Sequence, residues 1–417
     1  LSQALPIRSL TAAALLGRLI PAPALEQAVT ISPGLRRAAG PALILLLLTT
    51  AIPLVAQQPV DFEQRKGLLL QNDRIELITL TQGGAFVSLV LKDDPEKMNP
   101  MWNPIRSARD LGKPSRFGSS LGHFVCVDGF GGVSREEQAA GLRGHGEAHR
   151  LDWETVSSGK QGNRASASFQ VTLPLVQEIF RRKVTIADGE TVVRIESELE
   201  SLLSFDRAIN WAEHATIGIP FLTPEKTVVD ASVARCQTRP HNNQPPHRLA
   251  SDKEFTFPMA PTLDGSSTVD TRFAPPNPNS MDHSGCAMNA SRSDAWVTAL
   301  RTDKRLLIGY LWPRTDYPWL QQWMNFTAGG DYAWGLEFGT QPFDVSRRQT
   351  LEMGSSLFGV PAFRILPAKA KITARFLMFL ARVPEGFTKV DDVRQEAGKI
   401  IIEDRRAGKR AELPFSE

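Results

Sequence analysis

Arg74-Ile75-Glu76-Leu77-Ile78-Thr79-Leu80 is followed by Gly83-Gly84 and then by Ala85-Phe86-Val87-Ser88-Leu89-Val90-Leu91. The first run alternates apolar and polar residues, and both are rich in β-branched and aromatic side chains. Successive side chains of an extended chain point to opposite faces, so the pattern predicts a half-buried strand. Two adjacent glycines supply the positive φ angles of a tight turn, so the whole stretch reads as a β-hairpin. The same signature recurs down the chain. Ala165–Leu173, Val176–Ile186 and Thr191–Glu200 read as strands, the last two joined by Ala187-Asp188-Gly189-Glu190. Trp296–Arg301 and Leu306–Trp312 flank a turn at residues 302–305, Tyr332–Thr340 runs into a loop, and Ile372–Ala381 is a further strand. Many short strands with glycine turns and almost no helical period predict an all-β fold. About 340 residues of such pattern suit a large antiparallel two-layer sandwich better than a small barrel. Only Val390–Arg406 has a weak helical pattern, and a short C-terminal helix with a tail is expected over residues 389–417.

Composition bounds the rest. The 417 residues are 42% hydrophobic and 22% charged, as in soluble globular proteins. Forty-eight basic and 45 acidic residues leave a net charge of +3, which gives no footprint for nucleic acid or for an anionic membrane surface. Arg36-Arg37 followed by the apolar run Pro41–Val55 reads as a secretory signal with cleavage near Ala56, too short and Pro-broken for a membrane span. Residues 1–56 are therefore set apart from the fold, which is expected over 60–388, and the mature protein is expected to be exported, periplasmic or secreted. Of the three cysteines, Cys126 lies in an apolar strand run and is expected to be buried. Cys236 and Cys286 can pair or remain thiols. Without a Cys-x-x-Cys or a recurring ligand spacing, no metal site is expected, and His241, His247 and His283 are expected at the surface of the loop-rich, Pro- and Asn-containing segment 226–290.

Three stretches concentrate chemistry near strand ends. His145-Gly146-Glu147-Ala148-His149-Arg150-Leu151-Asp152-Trp153 places two imidazoles, charged groups and an indole together. Glu213-His214-Ala215-Thr216 and Leu336-Glu337-Phe338 add a further imidazole and a carboxylate. Imidazoles move protons near neutral pH, and an indole can stack on a sugar face, so His145, His214 and Glu337 are the candidate acid–base set. Trp153, Arg150, His149 and Trp323 are candidate substrate contacts. Glu352 is the rival for the carboxylate, and Glu213 is expected on the strand face opposite His214.

These stretches resemble the aldose 1-epimerase, or galactose mutarotase-like, superfamily, most closely its hexose-6-phosphate 1-epimerase branch. The likeness rests on Gly122-His123-Phe124-Val125-Cys126 running to Gly129-Phe130-Gly131, on His145-Gly146-Glu147-Ala148 with Trp153 eight residues on, and on the His214 and Glu337 segments in order. It covers roughly residues 65–385, on the span of strand pattern. Departures fall on phosphate recognition: His149, followed by Arg150, stands where the family has arginine, and Arg116 is the only candidate for another family arginine. The resemblance implies a twisted β-supersandwich with a sugar cleft and no metal or organic cofactor. It also implies ring-opening acid–base chemistry on a small sugar or glycan. In that chemistry the Glu337 carboxylate takes the anomeric proton, imidazolium His214 protonates the ring oxygen and His145 binds substrate oxygens. A carbohydrate-binding protein without catalysis, on the same fold, is the alternative.

Overall fold

A computed structural model describes residues 57–115, 120–276, 279–327 and 332–416. The signal-like segment and Arg116 lie outside the described residues. Two antiparallel sheets dominate. The larger has eleven strands in the spatial order Gln57–Phe62, Arg65–Gln71, Ile75–Leu80, Phe86–Leu91, His123–Val127, Trp211–Gly218, Ala333–Gly339, Trp319–Phe326, Ser280–Met288, Val233–Thr238 and Glu254–Phe255. The smaller has eight, in the order Thr227–Ala231, Asp294–Arg301, Leu306–Pro313, Lys371–Arg382, Val192–Ser201, Glu178–Ala187, Arg164–Leu173 and Glu154–Gln161. The alternation read from sequence is the burial pattern observed. Ala165, Ala167, Phe169 and Val171 face inward on one strand, and Phe180, Val184 and Ile186 do so on its neighbour. They meet Leu77, Val125, Trp211 and Phe338 from the larger sheet in one continuous core.

The opening hairpin forms as expected. Gly83 and Gly84 have φ of 73° and 57°, and a Cβ on Gly84 would lie 2.3 Å from the Trp153 ring. Trp153 therefore corrects the sequence reading. Its indole is buried over this turn, donates Nε1–H to the Ala148 carbonyl at 2.8 Å and packs edge-on against Phe180. It belongs to the core and offers no face to a sugar.

At the centre of the core lies a charged group. Arg182, from the smaller sheet, donates Nη2–H to Glu213 of the larger sheet at 2.5 Å. His123 Nε2 at 3.0 Å and the Tyr317 hydroxyl at 3.1 Å complete the shell of the Glu213 carboxylate. Burial would raise the Glu213 carboxyl, but Arg182 and His123 outweigh it and hold it below its usual range, while burial keeps His123 neutral.

One expectation fails here. The C-terminal segment forms three strands, Asp392–Glu396, Lys399–Asp404 and Lys409–Pro414, and no helix. The β-branched run Ile400-Ile401-Ile402 favours strand, and Gly398 and Gly408 turn it with φ of 73° and 63°. Ile400, Ile402 and Leu413 pack with Leu300, Leu307 and Phe379 of the eight-stranded sheet in a second core. Segment 226–290 contributes Thr227–Ala231, Val233–Thr238 and Ser280–Met288 to the two main sheets. Cys236 and Cys286 are directly opposed across two of these strands and form a buried disulfide.

Arg182→Met should destabilise the protein by about 3–5 kcal/mol, because it leaves the Glu213 charge buried without its partner. Arg182→Met/Glu213→Leu should recover most of that loss. Chemical denaturation of the three proteins measures both.

Candidate functional site

Register in the larger sheet builds the site. Phe124 pairs with His214 between the His123–Val127 and Trp211–Gly218 strands. Glu213 pairs with Phe338 and Thr216 with Gly335, which sets His214 opposite Glu337. Glu337 pairs with Gln321, Gln321 with Gly285, and Gly285 with Gln237. Residues directly opposed in a sheet share a face, so Phe124, His214, Glu337, Gln321, Gly285 and Gln237 form one row across six strands. Glu213 points the other way, into the core, as its position one residue from His214 requires.

His214 Nε2 lies 3.1 Å from Glu337 Oε1, with the two groups 6% and 1% exposed. The contact is not aligned as a hydrogen bond, and Glu337 Oε1 has no hydrogen-bond partner among the described residues. His214 Nδ1 lies 2.8 Å from the Thr216 hydroxyl, which is itself 3.5 Å from the His214 carbonyl. A hydroxyl that donates to that carbonyl accepts from Nδ1, which leaves the imidazole lone pair on Nε2, towards Glu337. Gly335 makes room for the carboxylate, since a Cβ there would lie 2.1 Å from Glu337 Oε1. Burial drives His214 well below and Glu337 well above their usual ranges, and the Asp344 charge adds to the rise at Glu337. Both shifts favour the uncharged pair. Burial thus works against both the imidazolium and the carboxylate that the resemblance implies for these two residues.

His145 joins this pair from the loop after the His123–Val127 strand. Its ring centroid is 5.3 Å from that of His214, and its backbone is left-handed, with φ 67°. That conformation is uncommon for a residue with a Cβ and requires support. Gly131 supplies it, accepting the His145 N–H at 3.0 Å and donating its own N–H to His145 Nδ1 at 3.3 Å. A backbone N–H can only donate, so Nδ1 is the acceptor and the proton of neutral His145 sits on Nε2. Burial lowers His145 to about 4. Cys126 Sγ is 3.5 Å from the same Nδ1; the thiol is buried, unpaired and pushed up by burial and nearby carboxylates.

His149 is buried against Phe124, with its ring 5.9 Å from His145, and burial lowers it to about 2. Neither of its nitrogens has a hydrogen-bond partner among the described residues. Arg150 is exposed beside the site and donates to the Gly144 carbonyl at 3.2 Å. Trp323 is half-buried on the same face of the sheet, 5.8 Å from His214 and 5.7 Å from Trp102. Glu352 is excluded as the carboxylate: it ends the exposed helix Arg347–Glu352 and pairs with Arg348. His283 is not at the surface. It is buried on the same side of its strand as Gly285, with Nδ1 2.9 Å from Asp344 Oδ1, and Arg239 Nη1 lies 3.0 Å from the same oxygen. Sequence reasoning missed Asp344, Arg239 and Gln321. The signal for Asp344 is one charge in the otherwise uncharged run Gly339-Thr340-Gln341-Pro342-Phe343, seven residues after Glu337.

Among the described residues no group of three or more His, Cys, Asp or Glu is arranged to hold a metal ion, and no helix is long and apolar enough to cross a membrane. Clefts of about 810 and 760 Å³ open on the outward face of the other sheet, around Lys183, Glu196 and Arg375. His145, His214 and Glu337 do not line these two clefts.

Solved structures share this architecture. A galactose mutarotase-like protein from Clostridium acetobutylicum superposes with a TM-score of 0.54 at 13% identity, over 79% of this chain and 99% of that one. The chain has the galactose mutarotase-like fold. A candidate aldose 1-epimerase from Klebsiella pneumoniae gives a TM-score of 0.54 at 12% identity, over 77% and 81% of the two chains. A candidate mutarotase from Salmonella typhimurium gives 0.52 at 11%, over 78% and 94%. No family model and no curated protein matches the sequence.

Cys126 should resist a thiol reagent in the native protein and react fully once the chain is unfolded. Colorimetric thiol titration before and after denaturant measures this, and rapid native labelling would contradict the buried placement.

Proposed function

We propose that this protein interconverts the anomers of an aldose by acid–base ring opening, with His214 and Glu337 as the catalytic pair. The observation that supports this is their placement directly opposite each other on adjacent strands, with Nε2 and Oε1 3.1 Å apart. An acid and a base in one cleft are what ring opening needs. Neutral His214 takes the proton of the anomeric hydroxyl, protonated Glu337 gives its proton to the ring oxygen, and the bond between the anomeric carbon and that oxygen breaks. The aldehyde turns about its bond to the neighbouring ring carbon, the freed hydroxyl adds to the other face of the carbonyl, and both protons return. His145 Nε2–H donates to a substrate oxygen, and Trp323 offers its ring as a wall for the sugar. Supporting an exported location, the Cys236–Cys286 disulfide suits an oxidising compartment.

Glu337→Gln should lower the rate of anomer exchange by about two to four orders of magnitude while leaving sugar binding largely intact. Polarimetry on freshly dissolved anomers, corrected for the spontaneous rate, measures it. A wild type that binds an aldose without accelerating exchange would replace this reading with carbohydrate binding alone.

The pair is active with one proton between its members, so activity should be bell-shaped in pH. The acid limb, where the pair gains a second proton, should lie below the 6.5 of ordinary histidine. The basic limb, where the last proton leaves, should lie well above the 4.5 of ordinary glutamate. A pH–rate profile with the acid limb at or above 6.5 would contradict the uncharged resting pair.

A further inference from the structure

His145 and Gly146 are both left-handed, with φ of 67° and 73°, so the chain kinks sharply where the His145 side chain leaves it. Such a kink at a residue with a Cβ persists only where the surroundings over-determine it. On one side the support comes from the larger sheet. The Gly146 backbone bridges to Val127, and a Cβ on Gly146 would lie 2.2 Å from the Val127 carbonyl oxygen. Gly131 holds His145 by its backbone N–H and by Nδ1. Gly131 is itself backed by Asp344: a Cβ there would lie 2.1 Å from the Asp344 carbonyl oxygen, which accepts from Arg239 Nη2 at 3.2 Å. On the other side the support comes from the smaller sheet, through Glu147. Its carboxylate is 9% exposed and accepts from the Leu175 N–H and the Val176 N–H, each at 3.1 Å. These amides lie in the turn between the Arg164–Leu173 and Glu178–Ala187 strands. Successive backbone N–H groups in a turn make a cradle for an anion. Glu147 therefore ties the loop that carries His145 to the opposite layer.

We propose that Glu147 is a positioning residue for His145: seated on the turn at Leu175 and Val176, it holds the His145–Gly146 kink and with it the direction of His145 Nε2–H. It touches no substrate in this role. The proposal rests on the reading of His145 as a substrate contact. Contacts join the anchor to the site at each step. Glu147 follows Gly146 directly, the His145 ring centroid is 5.3 Å from that of His214, and His214 Nε2 is 3.1 Å from Glu337. Arg150 closes the same loop, its backbone N–H donating to the Glu147 carbonyl at 3.0 Å and its guanidinium to the Gly144 carbonyl. A single support would leave the kink free to swivel. Gly131 fixes the ring end and Glu147 fixes the chain beyond it, and two supports define a direction. Without the carboxylate the segment can turn about its two left-handed residues, and a displacement of about 1 Å at a positioned group can cost about a hundredfold in rate.

Nitrogen NMR of protein labelled in the histidine rings reads that direction without turnover. The His145 signals are assigned by their loss in His145→Gln, and the wild type should show an accepting Nδ1 beside a protonated Nε2. Glu147→Ala should displace both signals towards a mixture of the two tautomers. It should also lower anomer exchange, read by polarimetry, by about ten- to a hundredfold. Glu147→Gln should keep both properties, because its amide oxygen can still accept from the Leu175 and Val176 N–H groups. His123, buried against Glu213 in the core, reports in the same spectra that each variant is folded. Unchanged His145 signals in Glu147→Ala, equal losses in the two variants, or His123 signals that move together with those of His145 overturn the proposal. Displaced His145 signals with an unchanged exchange rate uphold the anchor and remove His145 from the reaction, so the two readings fail separately.

Discussion

The contact between Arg182 and Glu213 is the constraint on which the rest of the structure depends. It crosses between the two sheets inside an otherwise apolar core, and a buried carboxylate is tolerable only with its cation and hydrogen-bond donors in place. Glu213 therefore has to face inward. Because side chains alternate along a strand, His214 has to face the cleft. The charge that ties the layers together also fixes which face of the Trp211–Gly218 strand carries chemistry.

From that strand the site spreads by register. Glu337 arrives beside His214 because Ala333–Gly339 is the next strand in the sheet, although 122 residues of chain separate the two positions. Gly335 leaves space for the carboxylate, and Phe124 stacks on the other side of the imidazole with centroids 4.2 Å apart. Enclosure then decides the protonation state. Phe124, Phe130 and His145 wall the imidazole, and burial disfavours charge on both His214 and Glu337. The low-dielectric setting that makes the charged pair unfavourable also strengthens each interaction with a bound hydroxyl.

Much of this was legible in the residues themselves. Period-two alternation and the Gly83-Gly84 turn carried the fold class, and the local motifs carried His145, His214 and Glu337. The misreadings share one cause. An indole near histidines suggests a sugar platform, but Trp153 is core because Gly84 admits its ring. Polar neighbours suggest a surface place for His283, but it lies on a strand beside Trp319–Phe326. Glu352, the rival carboxylate, follows the Ser346 cap into a helix. Each depends on a partner distant in the chain.

By itself, the sequence determined the alternation of faces along each strand, the turns that glycine permits and the types of side chain available for proton transfer. These are local properties, dictated by backbone sterics and side-chain chemistry within a few residues. Tertiary structure alone decided that His214 and Glu337 stand opposite each other, that Asp344 is clamped by Gly131 and Arg239, and that Cys236 meets Cys286. It also decided that burial disfavours charge on both members of the pair. Register between distant strands sets who meets whom, and burial sets which groups keep their protons, and neither quantity exists until the sheets have closed on each other.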